Sequence, residues 1–343
     1  MQVRFAANVR PPENLAEVCA WARAAEDAGL EMLGVADSPS LYHDVYLTLA
    51  LCALHSRRVR LGPAVTNPLT RHPVVAAGAI TGIDYLSGGR AFLGIGTGHS
   101  AALNLSMPAA SLAQFRAYVE AVRACLAGKP VDYDGRRTLF TLRSRPLPIY
   151  VGATGPKTMR LAGQIADGVI IRTVLLPPVI RFCLEQVHAG AREVGRDPAS
   201  IDVWFMVSVS VAPTHAEAID EIKATCVSAA HSVFARRIDP LMAPSDILPQ
   251  VQEMLRRYAP ADHTKQAGRE NQNARIFDDL GIGDYLLKAF SLAGTPQECV
   301  QRARALATAG ATQLFMGLHT KDKLRTLRLL AREVFPQLPV ATL

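Results

Sequence analysis

Short apolar segments alternate with longer amphipathic segments along almost the whole chain, and this alternation restricts the fold more than any other feature. About eight strand-like segments recur, Val3–Val9 and Met32–Ala36 among them, and helical patterns separate them. Strands alternating with helices form parallel βαβ units, because parallel strands need a long crossover connection. Eight such units in about 280 residues predict a (β/α)8 TIM barrel in preference to an open Rossmann sheet.

A glycine-rich stretch follows the fourth predicted strand and does not match a dinucleotide-binding fingerprint. His99 stands where the third glycine of that fingerprint belongs, and no acidic residue lies about 20 positions further on. Alternating glycines at a strand end instead let a ligand approach the backbone closely. We therefore expect Gly96, Thr97 and Gly98 to line a ligand site at the barrel mouth. His99 is the best-placed proton donor there, and a surface histidine without a catalytic role is the alternative.

Residues 232–291 interrupt the strand–helix rhythm with prolines, charges and short helical pieces. We interpret this segment as an insertion that precedes the last strand–helix units and caps the barrel mouth. Because α/β barrels run long as single domains, residues 1–343 are predicted to form one barrel domain.

Composition and charge exclude several classes of protein. The 343 residues carry a formal net charge of +7 without a run of basic residues, so no nucleic-acid partner is expected. The six cysteines are scattered and never spaced as CxxC, which predicts reduced core residues and no metal site. No apolar run of about 18 residues and no signal-peptide layout occurs, so we expect a cytoplasmic protein without membrane contact.

Two helical segments lack the polar face that an outer barrel helix should present. Val45–Leu54 is apolar on nearly all sides, and the segment at 74–86 is rich in small residues. A helix that is apolar all round is normally buried. We expect a subunit interface to cover these segments, and hence a homodimer.

The residues that open the helix after the fifth strand suit an anion. The free N–H groups and the positive dipole end of a helix N-terminus attract negative charge. Gly155 opens the backbone, Pro156 suits the first helical position, and Lys157 adds a charge. Thr154 and Thr158 add hydroxyl groups. These residues predict a phosphate site, with an ordinary capped helix start as the alternative. The sequence contains no HExxH, GxSxG or Walker motif that would indicate a metalloprotease, a serine hydrolase or a nucleoside triphosphatase.

Four stretches together resemble the bacterial luciferase-like superfamily, and its methylenetetrahydromethanopterin-reductase branch more than luciferase itself. They are Gly29–Asp37, Arg60–Pro73 (RLGPAVTNPLTRHP), Leu86–Ser100 (LSGGRAFLGIGTGHS) and Pro148–Ile170. The resemblance covers roughly residues 1–230 and resumes from about 292 to 335. It implies a (β/α)8 barrel, usually dimeric, that binds reduced FMN or the deazaflavin F420 at its C-terminal mouth.

The same resemblance assigns roles to individual residues. A bulge after strand three would lie behind the isoalloxazine ring, often with a cis non-proline peptide, which points here to Ala64–Val65. The glycine stretch would lie along the ring or its side chain, and residues 153–158 would hold the phosphate. Asp37 either caps its loop or bonds the ring. The expected cofactor-binding residues are Asp37, Ala64, Val65, Thr66, Asn67, Gly96, Thr97, Gly98, Ala153, Thr154, Gly155, Pro156, Lys157 and Thr158.

Three functions follow from the resemblance. The first is a monooxygenase that acts on a small organic substrate with reduced FMN supplied by a partner flavin reductase. The alternative is an F420-dependent reductase or dehydrogenase that moves a hydride at C5 without O2, and the third is a non-catalytic flavin-binding barrel. Ser38 stands where F420-dependent members often have histidine, and Thr97 where luciferase has a phosphate-binding arginine. Each departure counts against one cofactor, so both remain open at this point.

Overall fold

The computed structural model describes residues 3–236, 238–262 and 270–339, without the side chains of His99, Ser100 and Leu103. These described residues form eleven strands. They are β1 Arg4–Val9, β2 Met32–Val35, β3 Arg60–Pro63, β4 Leu93–Ile95, β5 Val131–Tyr133, β6 Arg136–Thr138, β7 Ile149–Ala153, β8 Gly168–Ile171, β9 Asp202–Val211, β10 Ser291–Gly294 and β11 Gln313–Leu318.

Within the same ranges, thirteen α-helices separate or follow these strands. They are α1 Ala16–Asp27, α2 Val45–Leu54, α3 Pro73–Ser87, α4 His99–Asn104, α5 Leu112–Leu126, α6 Pro156–Ile165, α7 Pro177–Glu193, α8 His215–Phe234, α9 Leu248–Arg257, α10 Gln272–Asp279, α11 Gly283–Phe290, α12 Pro296–Thr308 and α13 Lys323–Leu329.

The principal sheet confirms the predicted (β/α)8 barrel. Eight strands follow one another in the order β3-β2-β1-β11-β9-β8-β7-β4, and their neighbouring pairs with a defined register are parallel. Parallel bridges at Leu61 and Thr66 join the β3 segment to the β4 segment, so the two ends of this order also meet. β5 and β6 form a separate antiparallel hairpin.

Residues 6–171 and 185–203 form one compact unit. Its strands β1, β2 and β3 pair in register, with Asn8 opposite Gly34 and Gly34 opposite Gly62. The strand residues are almost all buried, and α3 packs against both α2 and α5. The unit carries all the cofactor-binding residues predicted above.

Residues 3–5, 172–184 and 204–339 belong to a second compact unit. Within it β9 pairs with β11 and with β10, both in parallel. The sequence did not predict β10, because its four residues stand directly before a strong helix-capping signal and lack a strand pattern of their own.

In the segment 232–291, the described residues form several short helices. It holds the end of α8 and the whole of α9, α10 and α11, and both α10 and α11 pack on α8. Its placement as a cap over the barrel mouth, and the division of the chain into one domain, stay predictions.

Several classes of feature are missing from the described ranges. Over those residues, no helix is long and apolar enough to cross a membrane. Nor do three or more His, Cys, Asp or Glu side chains gather there in a way that would hold a metal ion. All six cysteines are free, and five of them are buried.

Candidate active site

A bulge follows β3 at the place that the sequence predicts. Between the two bridges to the β4 segment, one chain advances five positions, from 61 to 66, while the other advances four, from 91 to 95. One extra residue on one strand of a pair is the definition of a β-bulge. The Ala64–Val65 peptide bond within it is cis. The predicted bulge and the predicted cis peptide are therefore both confirmed.

Gly94 in β4, Gly96 directly after it and Gly152 in β7 make room for the bulge and for the side chain of Val65. A Cβ atom added to Gly96 would lie 2.9 Å from Cγ2 of Val65, and one added to Gly152 would lie 3.2 Å from both its γ-carbons. At Gly94 the added atom would lie 2.2 Å from the backbone oxygen of Pro63. The glycine-rich strand thus accommodates the bulge. Contact between Gly96 and a cofactor stays a prediction.

Asp37 connects the end of β2 to the bulge. Its Oδ2 accepts hydrogen bonds from Oγ1 of Thr66 and from Nη1 of Arg71, both at 2.6 Å. The second guanidinium nitrogen of Arg71 donates to Oδ2 of Asp44 at 2.7 Å. The side chains of Asp37 and Arg71 are only 4% and 16% exposed, so this ion pair is largely shielded from water.

The two neighbouring carboxylates and burial shift the pKa of Arg71 in opposite directions. Burial lowers the pKa of Arg71, but the Asp37 and Asp44 carboxylates raise it, and the net pKa lies above its ordinary value. Burial raises the pKa of Asp44, while hydrogen bonds from Arg71 and from the start of α2 bring it below its ordinary value. Both groups are therefore held in their charged forms at neutral pH.

The stretch from Thr97 to Asn104 contains a short helix, α4, that the sequence did not predict. Gly98 precedes it with a φ of 92°, in the region that favours glycine, and a Cβ there would lie 3.1 Å from Cβ of Asn67. The carbonyl of Thr97 accepts from the N–H of Ala110 at 3.0 Å. His99 begins α4, but its side chain lies outside the described residues, so its catalytic role stays a prediction.

The start of α6 has the form that the anion prediction requires. Gly155 is the N-cap residue and Pro156 occupies the first turn, and no side chain caps the helix. Other helices of the same unit, α2, α3 and α5, have a capping side chain. Because β7 pairs with β4, the residues at 153–158 directly follow the strand beside the glycine-rich strand. Phosphate binding there stays a prediction.

Comparison with known proteins places these features in a family. Residues 1–313 match the family model described as luciferase-like monooxygenase. The chain belongs to the bacterial luciferase-like family. It is an oxidoreductase of that family, as its resemblance predicted.

Three relatives illustrate the range of this luciferase-like family. A 5,10-methylenetetrahydromethanopterin reductase of Methanolobus tindarius is 31% identical over 333 residues, covering 94% of this chain and 97% of the relative. The coenzyme F420-dependent tetrahydromethanopterin reductase of Methanopyrus kandleri superposes with a TM-score of 0.78 at 25% identity, covering 98% and 100%. The oxygenating constituent of 3,6-diketocamphane monooxygenase of Pseudomonas putida was solved in complex with FMN. It superposes with a TM-score of 0.69 at 17% identity, covering 99% of this chain and 100% of the relative.

Unpartnered polar atoms test whether a flavin-type cofactor fits this luciferase-like site. Oδ1 of Asn67 accepts from the backbone N–H groups of Leu69 and Thr70 at 2.9 and 3.1 Å, which fixes Nδ2 as a free donor. That Nδ2 is buried and has no hydrogen-bond partner within the described part of the chain. A buried donor without a partner is costly unless a ligand or water satisfies it. The pyrimidinedione carbonyls of a flavin or deazaflavin would satisfy it, so the residues fit such a group.

Sequence reasoning missed two residues of the site, Asn8 and Arg71. Asn8 is the last residue but one of β1, and its Nδ2 donates to the carbonyl of Ala64 at 3.1 Å. Arg71 lies inside the family-like stretch, and its position between the bulge and α3 was the only available signal. Neither partner can be inferred from spacing, because Asn8 and Ala64 are 56 residues apart and Arg71 and Asp37 are 34 apart.

Two cavities lie away from these residues. One of about 550 Å³ is at the end of α3, where Arg145 donates to the buried Asp84 at 2.5 Å. A second, of about 10 Å³, lies within the unit that contains β9 and β11, and Arg172, Thr173 and His319 line it. These three follow strands, but a cavity of that size holds a single water molecule.

Proposed function

We propose that this luciferase-like oxidoreductase is a coenzyme F420-dependent reductase or dehydrogenase that transfers a hydride without using O2. One observation supports it above all: the reductase from Methanolobus tindarius is similar over nearly the whole of both chains. The structure of the Methanopyrus kandleri enzyme, whose description names F420, has the same fold over its full length. The alternative, an FMN-dependent monooxygenase, rests on neighbours at 17% identity, which share the fold.

The residues of the chain would divide the work of holding the cofactor. When bound, F420 supplies a hydride at C5 of its deazaflavin ring. The backbone of Ala64–Val65 would form a rigid surface behind the ring. Asp37, through Thr66 and Arg71, holds that backbone in position. The first turn of α6 would bind the phosphate, with Lys157 as an exposed counter-charge. We propose a small organic substrate for the hydride.

We further propose that two copies of the chain form a dimer through α2 and α3. These helices pack together, yet Leu47 and Leu54 on α2 are 53% and 64% exposed. Val75 and Leu86 on α3 are also exposed, and their spacing places them on one side of the helix. Large apolar side chains exposed on two packed helices are normally covered in a soluble protein.

The decisive experiment is an anaerobic titration of the purified protein with F420 and, separately, with reduced FMN, followed by oxygen-electrode measurements. Saturable quenching of F420 fluorescence without oxygen uptake is the expected result. Oxygen uptake driven by reduced FMN, with no binding of F420, would overturn the proposal in favour of the monooxygenase. Failure to bind either cofactor would also overturn the proposal.

A variant separates specific from adventitious binding in the same titration. Gly155→Val places a branched side chain at the N-cap of α6, where an added Cβ would meet no atom within 4 Å. The fold therefore tolerates it, but it obstructs the predicted phosphate site. We expect the Kd for F420 to rise at least about fivefold, since a loss of roughly 1 kcal/mol corresponds to that factor. Gly195→Asn, at an exposed αL position after α7, is the control and should leave the Kd unchanged.

A further inference from the structure

The side chain of Asn8 lies against the bulge after β3, because its amide bonds to the backbone of Ala64. Its neighbour in register on β2 is Gly34, which has no side chain to fill the adjacent position. Asn8 therefore lies at the carboxyl end of β1, where barrel enzymes place their site residues.

The amide of Asn8 has one occupied end and one unoccupied end. Nδ2 donates to the carbonyl oxygen of Ala64 at 3.1 Å, and this carbonyl belongs to the cis peptide of the bulge. The bond fixes the orientation of the amide, because a carbonyl oxygen cannot face another carbonyl oxygen favourably. Oδ1 is buried, with the whole residue 7% exposed, and has no hydrogen-bond partner across the ranges that the structure describes.

Asn8 and Asn67 thus differ in which amide atom is left without a partner among the described residues. Asn8 offers a buried acceptor, and Asn67, three residues beyond Ala64, offers a buried donor. Both amides are anchored by the backbone of the 64–70 segment, so neither can rotate to exchange its free atom without losing an existing bond. A ligand that satisfies both must offer a donor to Asn8 and an acceptor to Asn67, and the N–H and the carbonyls of a pyrimidinedione edge supply these two groups.

We propose that Asn8 is a positioning and specificity residue that accepts a hydrogen bond from the imide N–H of the cofactor's pyrimidinedione ring, while Asn67 donates to an adjacent ring carbonyl. The inference rests on the proposed cofactor site and extends it to a residue outside the family-like stretches. Asn8 has two functions in this arrangement: it holds the carbonyl of the bulge and it selects a ring with an N–H at that edge. Deazaflavin and flavin share this edge, so the inference does not depend on which of them binds.

The test measures affinity and folding stability on the same variants. Asn8→Ala removes the acceptor and the donor, whereas Asn8→Asp keeps an acceptor but loses the bond to Ala64. We expect Asn8→Ala to raise the Kd for F420 about tenfold, and Asn8→Asp to raise it less than about threefold, as expected for one net hydrogen bond. The melting temperature should fall more for Asn8→Asp than for Asn8→Ala, because the aspartate places a carboxylate oxygen against the carbonyl oxygen of Ala64. If affinity follows the melting temperature, Asn8 has only a structural role and the proposal is overturned.

A ligand analogue provides the second arm. The ring portion 8-hydroxy-5-deazaflavin and its N3-methyl derivative differ only in the imide N–H. The wild-type protein should bind the methylated ring about tenfold more weakly, and Asn8→Ala should discriminate less than about twofold, which is a double-mutant cycle between protein and ligand. Equal discrimination by both proteins would overturn the proposal.

Asn273→Ala serves as the control, and the choice of cofactor is tested separately from the role of Asn8. Asn273 is buried, and both ends of its amide bond to the backbone of Ala259 at 3.0 Å. Asn273→Ala should lower the melting temperature and leave the Kd unchanged. If the wild-type protein binds FMN and not F420, FMN and N3-methyl-FMN replace the deazaflavins. The inference is then tested by the same comparison of wild type with Asn8→Ala. If it binds neither cofactor, both proposals are overturned.

Discussion

At the scale of single residues, the site is held together by contacts between positions far apart in sequence. Val65 occupies space that exists because Gly96 and Gly152 have no side chains. Asp37 and Arg71 form a shielded ion pair that joins the end of β2 to the segment after the bulge. The sequence marks Gly96 and Asp37 as candidates, but it does not show that Val65 and Arg71 are their partners.

Gly94 should tolerate no side chain. In Gly94→Ala the new Cβ would lie 2.2 Å from the backbone oxygen of Pro63, so the bulge must move. We expect a loss of about 2–3 kcal/mol in the free energy of unfolding, measured by urea denaturation, together with weaker F420 binding. Gly78→Ala is the matched control, because Gly78 lies within α3 and its Cβ would make an ordinary 3.8 Å contact with Phe140. This variant should stabilise the protein by about 0.5–1 kcal/mol. Equal stability of the two variants would contradict the close approach of Gly94 to the bulge.

Arg71 should contribute strongly to stability because it neutralises a buried carboxylate. Arg71→Met leaves the Asp37 side chain, 4% exposed, without its cation. We expect a loss of about 3 kcal/mol, since removal of one partner leaves an uncompensated buried charge. Arg116→Met, which breaks an exposed pair with Glu120, should leave the denaturation midpoint almost unchanged. Similar midpoints for the two variants would show that the Arg71 pair is not effectively shielded.

At the scale of secondary-structure elements, local signals in the sequence account for most helix boundaries. Thr295 and Glu298 form a capping box, and α12 begins with Pro296. His72 caps α3, and Thr214 caps α8, in each case from the position directly before the helix. Such signals act over three or four residues and need no tertiary contact, so they leave a local pattern in the sequence.

The capping box of α12 should make stability depend on acidic pH. The hydrogen bond from the Thr295 N–H lowers the pKa of Glu298, burial opposes this, and His215 lowers it further, to a net value below the ordinary 4.5. A carboxylate with a lowered folded-state pKa stabilises the fold above the unfolded pKa, and this contribution is lost as the pH falls through the folded value. Glu298→Gln should therefore lower the melting temperature at pH 7, and this loss should shrink as the pH falls through the lowered pKa of the wild-type carboxyl.

Glu217→Gln is the control, with the melting temperatures of all variants measured by circular dichroism. Glu217 occupies the third position of α8, as Glu298 does in α12, and its N–H donates to Oγ1 of Thr214. In the structure the Glu217 side chain is exposed and does not complete a capping box. Glu217→Gln should change the melting temperature less than Glu298→Gln at pH 7. A loss for Glu298→Gln that does not shrink as the pH is lowered from 7 until the carboxyl is protonated would refute the assignment to the Glu298 charge.

At the scale of the whole molecule, the exposed leucines of α2 require an explanation that one chain does not provide. An outer barrel helix should present polar side chains to water, but Leu47 and Leu54 are among the most exposed apolar residues described. The proposed dimer would bury them together with Val75 and Leu86. The two apolar surfaces of a symmetric dimer would then be the same patch on each copy.

Charges placed on this surface should dissociate the dimer. We expect the wild-type chain to have the mass of a dimer by light scattering after size-exclusion chromatography. The Leu54→Asp and Val75→Asp double variant should have the mass of a monomer, because burying unpaired carboxylates is unfavourable. Val194→Asp is the control, since Val194 is 50% exposed and lies after α7, away from both helices. A monomeric wild-type chain, or a dimeric double variant, would contradict the proposed interface.

The sequence by itself determined the order of elements and most local conformations. The alternation of apolar and amphipathic segments specifies the barrel, because strand and helix periods are properties of neighbouring residues. The family-like stretches also located the bulge and its cis bond at Ala64–Val65. Only the tertiary structure decided what these positions contact. It showed that the glycines of β4 face Val65, that Arg71 pairs with Asp37, and that β10 exists as a partner of β9.

The physical reason is the range of the interactions. Helix caps, turns and hydrophobic periodicity act over a few residues and leave a pattern in the sequence. The contacts of Asn8, Asp37 and Val65 connect residues that come together only when the sheet closes, so each depends on register and packing that no local pattern encodes. The amide of Asn8, with one end bound to Ala64 and the other buried without a protein partner among the described residues, is such a contact, and it leads directly to a test of how the cofactor is held.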